Sequence, residues 1–135
     1  MYSELEKFGF NHFMTQHCLE SGLLPEKTAR VISESRERYL VQSKDRLFRA
    51  TLTGKLRFAS TSRRDLPAVG DWVAFSPADD ENAVIESVLP RRSCLERSAV
   101  GKLDVQIIAA NVDTAFVVLA ADRDFSINRV DRYLS

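Results

Sequence analysis

The sequence is poor in the residues that build special scaffolds. Its 135 residues include only five glycines, four prolines and two cysteines. So little glycine and proline excludes collagen-like and low-complexity chains, and two isolated cysteines exclude a disulfide scaffold and indicate reduced thiols. The N-terminal segment carries acidic residues and no long apolar core, and no apolar run approaches the length of a membrane span. We therefore expect a cytoplasmic protein with no membrane partner.

Metal-binding and catalytic patterns are also scarce. His12 and His17 are five residues apart, which turns them to different faces of a helix, and no pair of cysteines has zinc-ligand spacing. Asp71 has no carboxylate or histidine near it that could share acid–base work, so it is interpreted as a turn residue. The sequence predicts no metal site, no catalytic residue and no cofactor bound by this chain.

Charge is balanced over the whole chain but not along it. Nineteen basic residues offset nineteen acidic ones, yet residues 30–64 hold ten bases and three acids, a local charge of +7. Residues 65–86 hold six acids and no base. Such asymmetry between neighbouring segments indicates a surface that faces a polyanion, although solvated strands also carry charge freely.

The hydrophobic pattern changes twice along the chain. Residues 1–27 place apolar side chains at loosely helical spacing and predict a helical extension. Five or six short β-prone runs follow between residues 28 and 89, a spacing typical of a small barrel or sandwich. Alternation over residues 48–58 predicts two strands joined by a hairpin at Thr53 and Gly54. In this hairpin the side chain of Phe58 would face the core, and the side chains of Arg49, Lys55 and Arg57 would face outward.

The outward basic residues are the candidate binding site. A row of Arg and Lys on one barrel face suits phosphate, but it is also compatible with a merely solvated face. Tyr39, beside Arg38, is a candidate stacking platform for a base, whereas Trp72 is expected to pack in the core. The candidate RNA-binding residues are Arg36, Arg38, Tyr39, Arg49, Lys55, Arg57, Arg91 and Arg92.

The pattern after Pro90 differs from that of the barrel. Residues 90–102 are polar, basic and strand-poor, which favours a linker that either contacts RNA or only keeps the chain soluble. The continuous apolar run at 116–121 predicts a strand buried on both faces, and residues 127–134 have helical spacing. A strand and a helix open an α/β unit that the sequence does not complete, so we expect a piece of a longer protein.

Four strings carry a resemblance to a known family. They are DLPAVGDWVAF (65–75), VLPRRSCLERSAVGK (88–102), IAANVDTAFVVLAA (108–121) and INRVDRYL (127–134). In this order they resemble the N-terminal part of the RsgA family, also called YjeQ. The resemblance implies an OB-fold barrel, then a circularly permuted GTPase domain, then a zinc-binding domain, in proteins that bind the small ribosomal subunit and hydrolyse GTP.

With this resemblance, we predict a mainly β fold and divide the chain into three parts. Residues 1–27 form a helical extension, residues 28–103 an OB-fold ribosome-binding domain of five strands, and residues 104–135 the truncated start of the GTPase domain with its first strand and helix. GTP, Mg²⁺ and zinc are expected only for the full-length proteins. Gly54-Lys55 and Gly101-Lys102 are both followed by leucine, where a phosphate loop needs Ser or Thr.

Two functions remain open at this point. The barrel either contacts ribosomal RNA of the small subunit and places the downstream GTPase there, or it is a protein-interaction module that regulates its own GTPase domain. An autonomous cold-shock-like binder of single strands is a third reading, which the small number of surface aromatics disfavours. We assign no enzymatic activity to this chain itself.

Overall fold

The computed structural model describes residues 2–98 and 105–120, together with residues 128 and 131. Strands dominate these residues. The helices are α1 (Ser3–Glu6), α2 (His12–Ser21) and α3 (Gly54–Ala59), and 3-10 turns occupy Pro25–Lys27 and Arg63–Asp65. The strands are β1 (Thr28–Ser35), β2 (Arg38–Gln42), β3 (Leu47–Leu52), β4 (Trp72–Pro77), β5 (Asn82–Val88), β6 (Cys94–Ser98) and β7 (Val105–Ala110).

Five of these strands close into a barrel in the order β1-β2-β3-β5-β4. All neighbours are antiparallel except β3 and β5, which run parallel because α3 and β4 intervene in the chain. A five-stranded barrel with this order is the OB fold, so the predicted fold class is confirmed. The barrel interior is filled by alternate residues of each strand, as the period of two requires. Its largest fully buried side chains are Phe75, Ile85, Val31, Val41 and Val73.

The N-terminal helices pack on the outside of the barrel around Trp72, which is 1% exposed, as predicted for a core residue. Phe10 meets the Trp72 ring edge-on at 4.8 Å between centroids. Asn11 begins α2 by accepting a hydrogen bond from the backbone N–H of Met14, and Gly22 ends it in the left-handed region at φ 74°. No helix among the described residues is long and apolar enough to cross a membrane.

The predicted hairpin at Thr53 and Gly54 is wrong, because a helix begins there. The hydroxyl of Thr53 accepts a hydrogen bond from the N–H of Leu56, an N-cap that starts α3 directly after β3. Only Leu56 of this helix packs against the barrel core. Phe58, predicted to face the core, is 95% exposed. Lys55 and Arg57 therefore lie on a helix and not on a strand.

The segment after Pro90 also departs from the prediction. Part of the expected linker is strand β6, which pairs with β7 as a two-stranded sheet. Residues 116–120, expected in a buried strand, belong to no strand, and Phe116 and Val118 are almost fully exposed. An apolar run becomes a buried strand only when neighbouring strands pair with it, and no described strand does so here. The expected helix at 127–134 lies outside the described residues, apart from residues 128 and 131, and the three domain boundaries stay predictions.

Candidate nucleic-acid interface

The turn between β1 and β2 stands at one end of the barrel. Ser35 pairs with Arg38 across the two strands, so Arg36 and Glu37 alone form the loop. Both residues are in the left-handed region, at φ 50° and 62°, which is the two-residue turn that matches the twist of a hairpin. This conformation costs a residue with a side chain about 1–2 kcal/mol. The turn projects Arg36 from the barrel surface.

Helix α3 lies beside this turn. A guanidinium nitrogen of Arg57 is 3.4 Å from a carboxylate oxygen of Glu37, which joins the helix to the turn. The contact follows from the topology, because β3 ends at the same end of the barrel where β2 begins. Lys55, two residues before Arg57, is exposed on the same helix.

The outer face of β2 and β3 continues the positive charge away from the turn. Leu40 is the partner of Arg49, so Arg38, two residues from Leu40, is a diagonal neighbour of Arg49 on the same face. Diagonal neighbours in a sheet are about 7–8 Å apart. We call the resulting set the basic surface. It consists of Arg36, Arg38, Arg49, Lys55 and Arg57.

Most of the basic surface has no ion-pair partner among residues 2–98 and 105–120. Arg36, Arg38, Arg49 and Lys55 form no ion pair with any residue that the structure describes, whereas Arg57 pairs with Glu37. Three of the other bases between residues 30 and 64 lie near acids. Lys44 is near Glu4 and Glu26, Arg46 near Asp80, and Arg64 near Glu96. The local excess of positive charge is therefore concentrated at the turn, on α3 and on the outer face of β2 and β3.

The guanidinium of Arg91 forms hydrogen bonds within the protein, so we no longer consider Arg91 a candidate RNA contact. Its guanidinium donates to both carboxylate oxygens of Asp71, at 2.8 and 2.7 Å, and to the carbonyls of Arg64 and Leu66. Asp71 is fully buried and also accepts from the N–H of Ala68. The hydrogen bonds to Asp71 raise the pKa of Arg91. The carboxylate that the sequence presents as a turn residue thus anchors a buried ion pair.

Arg92 is exposed, and its backbone N–H donates to the side chain of Asn111. Arg92 lines a small cavity of about 240 Å³ together with Asn11, Trp72 and Asp113, and no residue of the basic surface lines this cavity. The structure therefore does not bring Arg92 together with Arg36, Arg38 and the other candidates.

Tyr39 is not the exposed platform that its flanking arginine suggests. The residue is only 4% exposed and belongs to the barrel core, opposite Ala50 of β3. Burial, with the nearby carboxylates of Glu34 and Glu37 as smaller causes, raises the pKa of Tyr39 to about 12. Its position on the inner side of β2 follows from the pleat, because Arg38 and Leu40 point outward. A ring held in the core cannot stack on a base.

Arg30 holds the β6–β7 hairpin against the barrel, a role that the sequence does not signal. Its guanidinium donates to the carbonyls of Phe8, Gly70 and Asn111, at 2.6, 3.1 and 2.9 Å. It also lies 5.6 Å from the centre of the Trp72 ring. Desolvation by burial lowers the pKa of Arg30. An arginine between two buried strand residues gives no local sign that three distant carbonyls converge on it.

The chemistry available to the site is the binding of anions. Guanidinium and ammonium groups hold phosphate oxygens by charge-assisted hydrogen bonds. No group of three or more His, Cys, Asp or Glu side chains that could hold a metal ion occurs among the described residues. The basic surface contains no nucleophile and no acid–base pair, so it is suited to binding and not to catalysis.

Comparison with known proteins finds relatives whose sequences match most of this chain. The family model for the RsgA GTPase matches residues 88–135. The small ribosomal subunit biogenesis GTPase RsgA 1 of Oceanobacillus iheyensis is 41% identical over 109 residues, which are 79% of this chain and 31% of that protein. The RsgA of Opitutus terrae is 41% identical over 144 residues, which cover 97% of this chain and 38% of that protein.

Solved structures give the same result. The crystal structure of YjeQ from Thermotoga maritima superposes with a TM-score of 0.54 and 26% identity, over 80% of this chain and 35% of that one. The crystal structure of YloQ, described as a circularly permuted GTPase, superposes with a TM-score of 0.53 at 22% identity, which supports the fold alone.

The closed barrel and the charged outer face of β2 and β3 define an OB-fold domain, a class that presents this face and its adjoining loops to ligands. The chain belongs to the RsgA family, so the resemblance predicted from the four strings is confirmed. It spans about a third of the length of the curated relatives it matches, which are named small ribosomal subunit biogenesis GTPases.

Proposed function

We propose that this chain is the RNA-contacting module of a GTPase that acts in maturation of the small ribosomal subunit. The observation that carries the proposal is a cluster of four exposed cations that form no ion pair with any described residue, on the face that OB folds use for ligands: Arg36, Arg38, Arg49 and Lys55. Each exposed Lys or Arg that neutralises a phosphate releases counterions and adds affinity without base specificity. The module would dock the protein on ribosomal RNA.

The charge of the two ends of the barrel sets the orientation of this docking. The loop between β4 and β5 contains Asp79, Asp80 and Glu81, and the backbone N–H of Arg49 donates to the carbonyl of Glu81 at the start of β5. This acidic loop lies at the end of β3 opposite to α3, since β3 and β5 are parallel and Arg49 pairs with Asn82. RNA phosphates would be repelled by this loop, which borders the basic surface at Arg49, and attracted at the β1–β2 turn and α3.

The proposal extends to the whole protein through its relatives, whose names describe them as small ribosomal subunit biogenesis GTPases. The full-length protein would hydrolyse GTP with Mg²⁺ in the cytoplasm, would hold zinc in a further domain, and would have the small ribosomal subunit as its partner. The residues that hold nucleotide and metal would be supplied by sequence other than these 135 residues.

A second candidate function is regulation of the GTPase domain by the barrel. The observation that favours it is the set of contacts between the barrel and the β6–β7 hairpin, which lies within the segment matched by the GTPase family model. Arg30 binds the carbonyl of Asn111, and the side-chain amide of Asn111 donates to the carbonyl of Gly70. Such contacts can carry a signal between the two parts whether or not the barrel touches RNA.

Binding of this chain to purified bacterial small ribosomal subunits, measured as a function of salt, tests the proposal. In a variant with Arg38, Arg49 and Lys55 replaced by alanine, three of the cations proposed to contact phosphate are removed. We expect weaker binding at physiological salt and a slope of log affinity against log salt that is shallower by about two units. The thermal transition should stay unchanged, because all three side chains are exposed.

The matched control removes the same charge elsewhere, by replacing Lys44, Arg46 and Arg64 with alanine. These side chains are also in the basic segment but are paired with acids. The control should keep the wild-type slope. If both variants retained the wild-type affinity and slope, the basic surface would be only a solvated face, and the regulatory function would be favoured.

A further inference from the structure

Phe58 is the feature of the barrel that neither the fold nor the ionic contacts explain. Its side chain is 95% exposed, the highest exposure of any large apolar residue described. It belongs to a helix with hydrogen bonds at both ends, since Thr53 caps the start and the hydroxyl of Ser60 donates to the carbonyl of Leu56. The ring is therefore presented to solvent by an ordered backbone.

The helix geometry directs the ring away from the barrel. Residues of an α-helix are about 100° apart around the axis, so Phe58 is about 160° from Leu56, the residue that packs against the core. Lys55 is three residues before Phe58 and shares its side of the helix, with about 5–6 Å between Cβ atoms. Arg57 flanks the ring on the other side. An aromatic ring thus stands between two cations, on the outermost line of α3.

We propose that Phe58 stacks on an unpaired base of RNA whose flanking phosphates are held by Lys55 and Arg57. The inference rests on the proposed RNA-contacting function and names the kind of RNA, a single-stranded or looped segment. Sequence-tolerant binding of single strands combines cations along the backbone with aromatic rings on the bases. A protein partner would be expected to use an apolar patch, and the residues of α3 on the same side as Phe58, Gly54 and Lys55, supply no apolar side chain.

The test is the binding of this chain to a fluorescent, unstructured oligoribonucleotide and to an RNA duplex of the same length. Phe58→Ala should weaken binding to the single strand about 5- to 150-fold, the effect of losing one stacked base. It should leave duplex binding and the salt slope unchanged, because no charge is removed. Phe58→Trp should bind the single strand at least as well as wild type, with quenching of the new indole fluorescence on binding.

Two controls separate stacking from other effects. Phe58→Leu keeps an apolar side chain without a π-face, so it should behave as the alanine variant does. Phe116→Ala removes a ring that is 88% exposed, in the segment after β7 and outside the basic surface, and should bind as wild type does.

The outcomes distinguish the inference from the function on which it rests. If Phe58→Ala binds the single strand like wild type while replacement of Arg38, Arg49 and Lys55 weakens binding, stacking is wrong and RNA contact stands. If wild type binds neither RNA nor small subunits, both fail. If Phe58→Leu retains binding that Phe58→Ala loses, the contact is apolar and not aromatic. If Phe58→Ala affects only the binding of intact subunits, the ring contacts a ribosomal protein.

Discussion

The ion pair between Asp71 and Arg91 is the most enclosed charged contact among the described residues. Asp71 is 0% exposed and accepts three hydrogen bonds, two of them from Arg91. Breaking a buried pair by removing one charge leaves the other charge uncompensated and costs about 3–5 kcal/mol. We expect Asp71→Asn to lower the free energy of unfolding by a few kcal/mol in chemical denaturation.

An exposed pair on the same part of the molecule provides the control. Arg64 and Glu96 are 3.0 Å apart and both reach solvent, so Glu96→Gln should cost at most about 1 kcal/mol. Equal, small losses in Asp71→Asn and Glu96→Gln would mean that the Asp71–Arg91 pair does not anchor the fold.

Because of Tyr39, the stability of the barrel should fall at alkaline pH. Its pKa is about 12 in the folded protein and about 10 in an unfolded chain, so the folded state keeps its proton at a pH where the unfolded state loses it. The stabilisation is complete below pH 10 and is lost as the pH rises from 10 to 12, with about 1 kcal/mol gone at pH 11.

Comparison of the wild type with Tyr39→Phe isolates this effect, because phenylalanine keeps the ring in the core and has no phenol to titrate. Denaturation curves at pH 8 to 11 should show the two proteins diverging as the wild type loses stability faster. Parallel losses over that range would contradict the raised pKa of Tyr39.

At the scale of elements, Gly70 allows the β6–β7 hairpin to approach the barrel. Its φ is +93°, and a Cβ atom at this position would overlap the carbonyl oxygen of Ala110. The backbone N–H of Ala110 donates to the carbonyl of Val69 at the same contact. Gly70→Ala should therefore separate the hairpin from the barrel, seen as faster amide exchange in β7.

Gly22→Ala is the matched variant, since Gly22 also has a positive φ, 74°, but has open space around it. It should cost about 1 kcal/mol through the backbone alone and leave exchange in β7 unchanged. If Gly70→Ala behaved like Gly22→Ala in both respects, the close approach to Ala110 would have no structural importance.

The elements show how far the sequence determines this fold. Alternation in strands such as β3 depends on local side chains, so five barrel strands and the inward positions of Phe48, Ala50 and Leu52 were predictable. Residues 54–59 have an alternation that suits a strand, but the cap by Thr53 favours a helix. Strand β6 consists entirely of exposed residues and forms because β7 pairs with it, which no local pattern indicates.

The candidate site was predictable in charge but not in shape. The excess of bases in residues 30–64 is a property of the sequence, and Arg36, Arg38, Arg49, Lys55 and Arg57 do come together. They lie on the β1–β2 turn, on α3 and on the outer face of β2 and β3, whereas the sequence predicted that Arg49, Lys55 and Arg57 lie along one pair of strands. The roles of Arg30 and Arg91 depend on partners 20 to 81 residues away in the chain, so local reasoning could not find them.

For the molecule as a whole, we expect this chain to bind no GTP. Gly54-Lys55 begins a helix after β3 and is followed by leucine, so it does not provide a phosphate loop with a hydroxyl for Mg²⁺. Titration with a fluorescent GTP analogue should give no saturable signal. Saturable binding at micromolar concentration would show that a nucleotide site exists outside the known motifs.

Ultraviolet crosslinking shows whether the basic surface lies against RNA of the small ribosomal subunit. The complex of this chain with purified bacterial small subunits is irradiated, and peptides that carry a nucleotide adduct are mapped by mass spectrometry. We expect adducts at the β1–β2 turn, on the outer face of β2 and on α3, including Phe58. Adducts confined to the acidic β4–β5 loop or to α2, or crosslinks to ribosomal proteins alone, would contradict it.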